Sequence, residues 1–81
     1  GLEINLSNWE LPAIFKWLSV TGGVDKFEML KTFNCGIGMT IICSPSSQGE
    51  VFSLLEKLGE KPIIIGKVTT SGKVKYIGNF V

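Results

Sequence analysis

Residues 37–65 read IGMTIICSPSSQGEVFSLLEKLGEKPIII, and this stretch decides the fold. Ile37 to Cys43 is an apolar run of strand length, too short for a core helix. Ser44-Pro45 follows, a hydroxyl N-cap residue before a first-turn proline, where a missing N–H is harmless. Val51, Leu54, Leu55 and Leu58 then recur at i, i+3, i+4 and i+7, so a helix runs on to Gly59 with one apolar stripe. Gly49 weakens that helix by about 1 kcal/mol relative to alanine, which the stripe outweighs. Pro62-Ile63-Ile64-Ile65 reads as a second strand, apolar throughout as a strand buried on both faces is. The unit is strand, helix, strand, with a right-handed crossover if the strands lie parallel.

Upstream, Leu2, Ile4 and Leu6 alternate with polar residues as in a half-buried strand. Leu11, Ile14, Phe15 and Leu18 form the stripe of a core-facing helix that Trp17 widens, with Pro12 in its first turn and Gly22-Gly23 as its C-terminal cap. Asp25 and Glu28 have the spacing of an acidic capping box for a second, short helix. Asp25 is the sole aspartate, which invites a catalytic reading, but the helix-start pattern around it favours capping. Met29, Leu30 and Phe33 give this helix its buried edge, and Asn34 and Gly36 end it. Downstream, Thr70-Ser71-Gly72 turns the chain and Val74 to Ile77 returns as an antiparallel edge strand. The expectation is an α+β two-layer sandwich, helices packed on a mixed sheet, without internal repeats or low-complexity segments.

Composition narrows the function. The chain has 81 residues, 44% of them apolar, including two tryptophans and five phenylalanines. A chain this short buries only about 60–65% of its unfolded surface. Either the core is unusually dense or part of the apolar surface meets another domain or subunit, and we favour the second. Net charge is +1 and every cation is a lysine, scattered singly, which argues against nucleic acid as a partner. Lys73 and Lys75 alternate as on a solvated strand face. No apolar run approaches the ~20 residues of a membrane span, and no secretion signal opens the chain. Two cysteines, Cys35 and Cys43, are too few for a disulfide framework and too far apart for Cys-x-x-Cys chemistry. With no histidine, Cys-His and Ser-His pairs and most zinc sites are excluded within this chain. Glu56 and Glu60 read with Lys57 and Lys61 as a solvated helix face. Ser44, Ser46 and Ser47 suit a helix start better than a nucleophile.

One candidate site remains, the turn Asn34-Cys35-Gly36-Ile37-Gly38. Its glycines let the backbone approach a ligand, its N–H groups can form an anion cradle, and Asn34 offers both a donor and an acceptor. The plainer reading is a helix-to-strand connection whose glycines permit tight packing. Trp9 and Trp17 can stack on a base or sugar, but core or interface roles suit them better.

Thr32-Phe33-Asn34-Cys35-Gly36-Ile37-Gly38-Met39 resembles the C-terminal signature of aminoimidazole ribonucleotide synthetase, also called phosphoribosylformylglycinamidine cyclo-ligase. Pro12-Ala13-Ile14-Phe15-Lys16-Trp17-Leu18 looks like that family's Pro-x-x-Phe-x-Trp-Leu helix. Gly22-Gly23-Val24, Glu28-Met29-Leu30, Leu58-Gly59-Glu60 and Ile65-Gly66-Lys67-Val68 fit in kind, while Thr70 to Val81 is less diagnostic. Lys31 stands where the family usually carries arginine, keeping the charge but losing the planar fork that binds phosphate bidentately.

The resemblance implies a cytoplasmic enzyme of purine biosynthesis that closes an imidazole ring. It converts formylglycinamidine ribonucleotide and ATP into aminoimidazole ribonucleotide, ADP and phosphate, with magnesium on the nucleotide. On that reading residues 1–81 are part of the C-terminal domain, and an N-terminal ATP-binding domain, which also makes the main contacts of a homodimer, lies upstream. This stretch alone would then be inactive and bind neither ATP nor magnesium. Asn34, Cys35, Gly36 and Gly38 would bind substrate or nucleotide near the interdomain cleft, and no residue here is assigned to catalysis. Two other readings stay open: a free-standing α+β module binding a small anion or a protein partner, and a sister ATP-binding enzyme such as a selenophosphate synthetase or thiamine monophosphate kinase.

Overall fold

A computed structural model describes residues 1–80. The elements in chain order are β1 (Leu2–Asn5), a 3-10 turn (Leu6–Asn8), α1 (Ala13–Gly22), α2 (Lys26–Thr32), a second 3-10 turn (Pro45–Ser47), α3 (Gln48–Lys57), β2 (Gly66–Val68) and β3 (Val74–Ile77). The class is α+β, three helices with a three-stranded mixed sheet.

β1 is the central strand. It pairs antiparallel with β2, Glu3 opposite Lys67, and parallel with β3, Glu3 opposite Lys75. β3 is an edge strand, as its sequence suggests, but its ladder partner runs parallel to it. The loop from Thr69 to Lys73 makes this possible by arching over the start of β1. There Leu2 N–H donates to the Lys73 carbonyl (2.9 Å) and Thr69 N–H to the Gly1 carbonyl (2.8 Å). Gly66 is required where β2 crosses β1, because a Cβ there would collide with the Glu3 carbonyl.

The helices follow their sequence signals. Asp25 Oδ1 accepts from Phe27 N–H and Glu28 N–H, both at 3.0 Å, and caps α2. Gly23, at φ 64°, ends α1 with its N–H on the Ser19 carbonyl. The buried cluster of Leu11, Met29 and Cys35 lies under these two helices, with Phe15, Leu18, Val24, Leu30 and Phe80 packed around it. Trp17 does not join it: its side chain is 58% exposed, so the stripe of α1 is narrower than the sequence suggests. Ile14 and Phe33 are likewise exposed.

The strand–helix–strand unit is only half formed. α3 is present, preceded by the 3-10 turn, but its two flanking segments carry no strand ladder. Ile37 to Cys43 and Pro62 to Ile65 leave their apolar side chains largely open, Met39 at 83% and Ile42 at 72% exposure. A strand exists only when its N–H and C=O groups have partners in series, and these segments lack that. β1 is paired on both sides by β2 and β3. Among the described residues the second segment bonds only through the Ile65 carbonyl to Asn5 N–H (2.8 Å) and the Ile64 carbonyl to Asn8 Nδ2 (3.0 Å). Ser44 does not cap a backbone N–H; its hydroxyl bonds those of Ser46 and Ser47 at 3.1 Å. Of the α3 stripe, Val51 and Leu55 are half-buried along with Phe52, while Leu54 and Leu58 face outward.

The described chain is a slab of 41 × 33 × 17 Å with a radius of gyration of 14.0 Å, against about 12 Å for a compact domain of this length. Its accessible surface is 6059 Å², against about 4,800 Å² for a compact monomer of its mass. Excess apolar surface expected from composition is present, on the segments Met39 to Ile42 and Ile63 to Ile64 and also at Ile14, Trp17, Val20 and Phe27 on α1 and α2. Among the described residues no helix is long and apolar enough to cross a membrane.

A signature turn on the wall of an apolar cleft

Asn34 to Ile37 form a tight turn closed by Ile37 N–H on the Asn34 carbonyl (3.1 Å). Both central residues have positive φ, Cys35 at 53° and Gly36 at 95°, the hallmark of a type I′ turn. Glycine accepts this freely; cysteine rarely does, and holding a non-glycine residue there costs about 1–3 kcal/mol that surrounding contacts must offset.

Those contacts come from three sides. Asn34 Oδ1 accepts from Gly36 N–H at 2.8 Å, an Asx-type bond inside the turn. The Cys35 side chain is fully buried against Met29 and Leu11, its Sγ 3.5 Å from the Met29 carbonyl it donates to. Trp9, also buried, donates its indole Nε1–H to the Cys35 carbonyl at 3.0 Å. Pro12 stands against Gly36 so closely that a Cβ on the glycine would lie 2.7 Å from Pro12 Cγ.

The four candidate residues thus divide. Gly36 and Gly38 lie on the wall of a cleft of about 880 Å³, within the size range of ligand pockets. Asn34 spends its carboxamide oxygen on the turn, and Cys35 sits beneath it as core. Burial pushes the Cys35 thiol above its ordinary value of 9.0, so it is protonated near neutrality and is not a nucleophile. The N–H groups of Gly36 and Ile37 are engaged by Asn34, while those of Asn34, Cys35, Gly38 and Met39 have no partner among the described residues. Of these, Gly38 and Met39 line the cleft, and an anion there would draw on that pair.

The remaining cleft wall is mostly apolar: the Met39 to Cys43 segment, the Val51, Phe52 and Leu55 side of α3, the Pro62 to Ile65 segment, and the face of β1 at Leu2 and Ile4. Charge enters at two places, from Glu3 and Lys67, 3.9 Å apart, at the sheet end and from Glu60 and Lys61 beyond α3, with Thr40 and Gln48 as further polar lining. Among the described residues no three His, Cys, Asp or Glu side chains converge to hold a metal ion. The sequence alone did not single out Trp9 and Pro12 as supports of the turn. Their partners lie more than 20 residues away, and only the fold reveals the pairing.

Against known proteins, the family model described as AIR synthase related protein, C-terminal domain, matches residues 1–79.

Proposed function

The chain belongs to the AIR synthase related family through its C-terminal domain, and from that premise we propose that it forms one wall of the substrate cleft of phosphoribosylformylglycinamidine cyclo-ligase. The observation that carries this reading is the position of the Thr32 to Met39 signature: its glycines lie on the wall of a ligand-sized apolar cleft.

In the proposed reaction the formyl amide oxygen of formylglycinamidine ribonucleotide accepts the γ-phosphoryl group of ATP. The amidine nitrogen then attacks the activated carbon, the C–O bond breaks, and phosphate leaves as the imidazole ring closes. ADP and aminoimidazole ribonucleotide are the other products. The residues of this chain do not fit the magnesium that accompanies the nucleotide, since no ligand cluster converges among the described residues; no step is assigned to it here.

This chain's part is to bind and to exclude water. Gly38, with open space where a Cβ would stand, permits close approach of a substrate to the backbone, and the Gly38 and Met39 amides offer donors to an anionic group. The apolar segments and the α3 face keep solvent from the activated intermediate. The nucleotide-binding elements belong to an upstream domain of the same polypeptide, the intact enzyme works as a homodimer in the cytoplasm, and these 81 residues alone are inactive.

The match is to a family of related synthases, which keeps a sister enzyme as the second reading. A substrate panel separates them. The full-length protein should consume ATP with formylglycinamidine ribonucleotide and not with selenide or thiamine monophosphate. ATP consumption with either of the latter alone overturns the cyclo-ligase assignment.

A further inference from the structure

The connector between β1 and α1 touches the turn at three points. Trp9 donates to the Cys35 carbonyl, Leu11 shares the buried cluster of Cys35, and the Pro12 ring abuts Gly36. The first contact differs in kind from the other two. It fixes the carbonyl of a residue at φ 53°, and relaxation of Cys35 to an ordinary negative φ would swing that carbonyl away from the indole. A benzothienyl ring, with sulfur in place of the indole N–H, would fill the same space and keep the same edge-to-face contact with Phe80 (5.9 Å, 78°). What it would lack is the N–H, the one polar atom of the side chain, and that atom is directed to the turn. The chain's other indole, Trp17, is exposed.

We propose that Trp9 is a positioning residue: its N–H holds the Cys35 carbonyl and so keeps Gly36 to Gly38 in the orientation that receives substrate. This rests on the reading of the turn as a wall of the substrate cleft. Because the strained turn is clamped before ligand arrives, its ordering is not taken from the binding free energy. Loss of the clamp therefore weakens substrate binding more than it slows chemistry.

The test uses the full-length protein and two variants. Trp9→Phe removes the N–H together with part of the bicyclic ring; Phe80→Leu likewise thins the packing and leaves the N–H in place. Steady-state kinetics with formylglycinamidine ribonucleotide are read beside the alkylation rate of Cys35, followed on its own peptide by mass spectrometry. Trp9→Phe should raise KM about tenfold with kcat within about twofold, and speed Cys35 alkylation about tenfold, as expected when a buried hydrogen bond is lost. Phe80→Leu should lower the melting temperature and move neither quantity, and Trp9→His, which restores a ring N–H, should recover part of the KM. Benzothienylalanine at position 9, of the same shape without the N–H, leaves no cavity and should give the same changes in KM and alkylation as Trp9→Phe. A response to Trp9→Phe that benzothienylalanine does not reproduce would belong to the cavity and overturn the role of the N–H. Equal responses to Trp9→Phe and Phe80→Leu, or an unchanged KM in Trp9→Phe, would overturn the positioning role. Gly38→Val separates the two levels. If it raises KM while Trp9→Phe does not, only the positioning role falls; if it leaves KM unchanged, the cleft reading falls and the inference with it.

Discussion

Gly36 rests against the ring of Pro12 so tightly that any side chain at position 36 would place its first carbon 2.8 Å from Pro12 Cδ and closer still to Cγ. Position 36 therefore faces two separate demands, a positive φ of 95° and a lack of room. Gly36→Ala should destabilise the fold by about 1–3 kcal/mol in urea unfolding. Adding Pro12→Ala removes the clash and not the φ penalty, so the double variant should recover only part of the loss. Full recovery would show that crowding alone excludes a side chain.

Asp25 caps α2 through one carboxylate oxygen that accepts two hydrogen bonds. Asp25→Ala should lower stability by about 0.5–2 kcal/mol, and Asp25→Ser should restore most of it. In the full-length protein both should leave kcat unchanged, because the carboxylate is a cap and has no part in chemistry. A large kcat loss in Asp25→Ser would revive the catalytic reading.

Burial holds the Cys35 thiol above its ordinary value. The folded state thus binds this proton more tightly than the unfolded chain does. The associated stability is fully present below the unfolded value of 9.0 and is lost as pH rises through the higher folded value. Unfolding free energy followed from pH 7 to 11 should fall in the alkaline range, and Cys35→Ala, although less stable at neutral pH, should show a shallower alkaline fall. Identical slopes would mean that Cys35 is not the group responsible.

Much of the fold was legible in the sequence because its signals are local. The Asp25 cap, the Gly23 C-cap, the Thr70 to Gly72 turn and the class itself depend on residues near one another, and each is present. What was misread depends on distant partners. Ile37 to Cys43 and Pro62 to Ile65 have strand-like composition, yet no neighbour among the described residues completes their ladders. β3 found a parallel partner because β1 lies between it and β2. The signature turn could be placed from its glycines, but its internal bonding could not. That Asn34 would satisfy the Gly36 amide and Trp9 the Cys35 carbonyl is a tertiary fact.

On the proposed function, the exposed segments meet the rest of the enzyme. Met39→Lys and Ile42→Lys should change the unfolding free energy of the 81-residue chain by no more than about 0.5 kcal/mol, as surface substitutions do. In the full-length protein the same substitutions would bury a charge and should cost about 1–3 kcal/mol. Thermal or urea unfolding of both lengths gives the comparison, and equal effects would mean that nothing covers this face.

On the proposed function this chain is half of a cleft, and the phosphate chemistry needs the other half. Formation of aminoimidazole ribonucleotide from formylglycinamidine ribonucleotide and ATP should therefore be measured side by side for residues 1–81 and for the full-length protein. Product should appear with the full-length protein and stay at background with residues 1–81; comparable turnover by both would mean that the second half is not needed and the cleft reading is wrong.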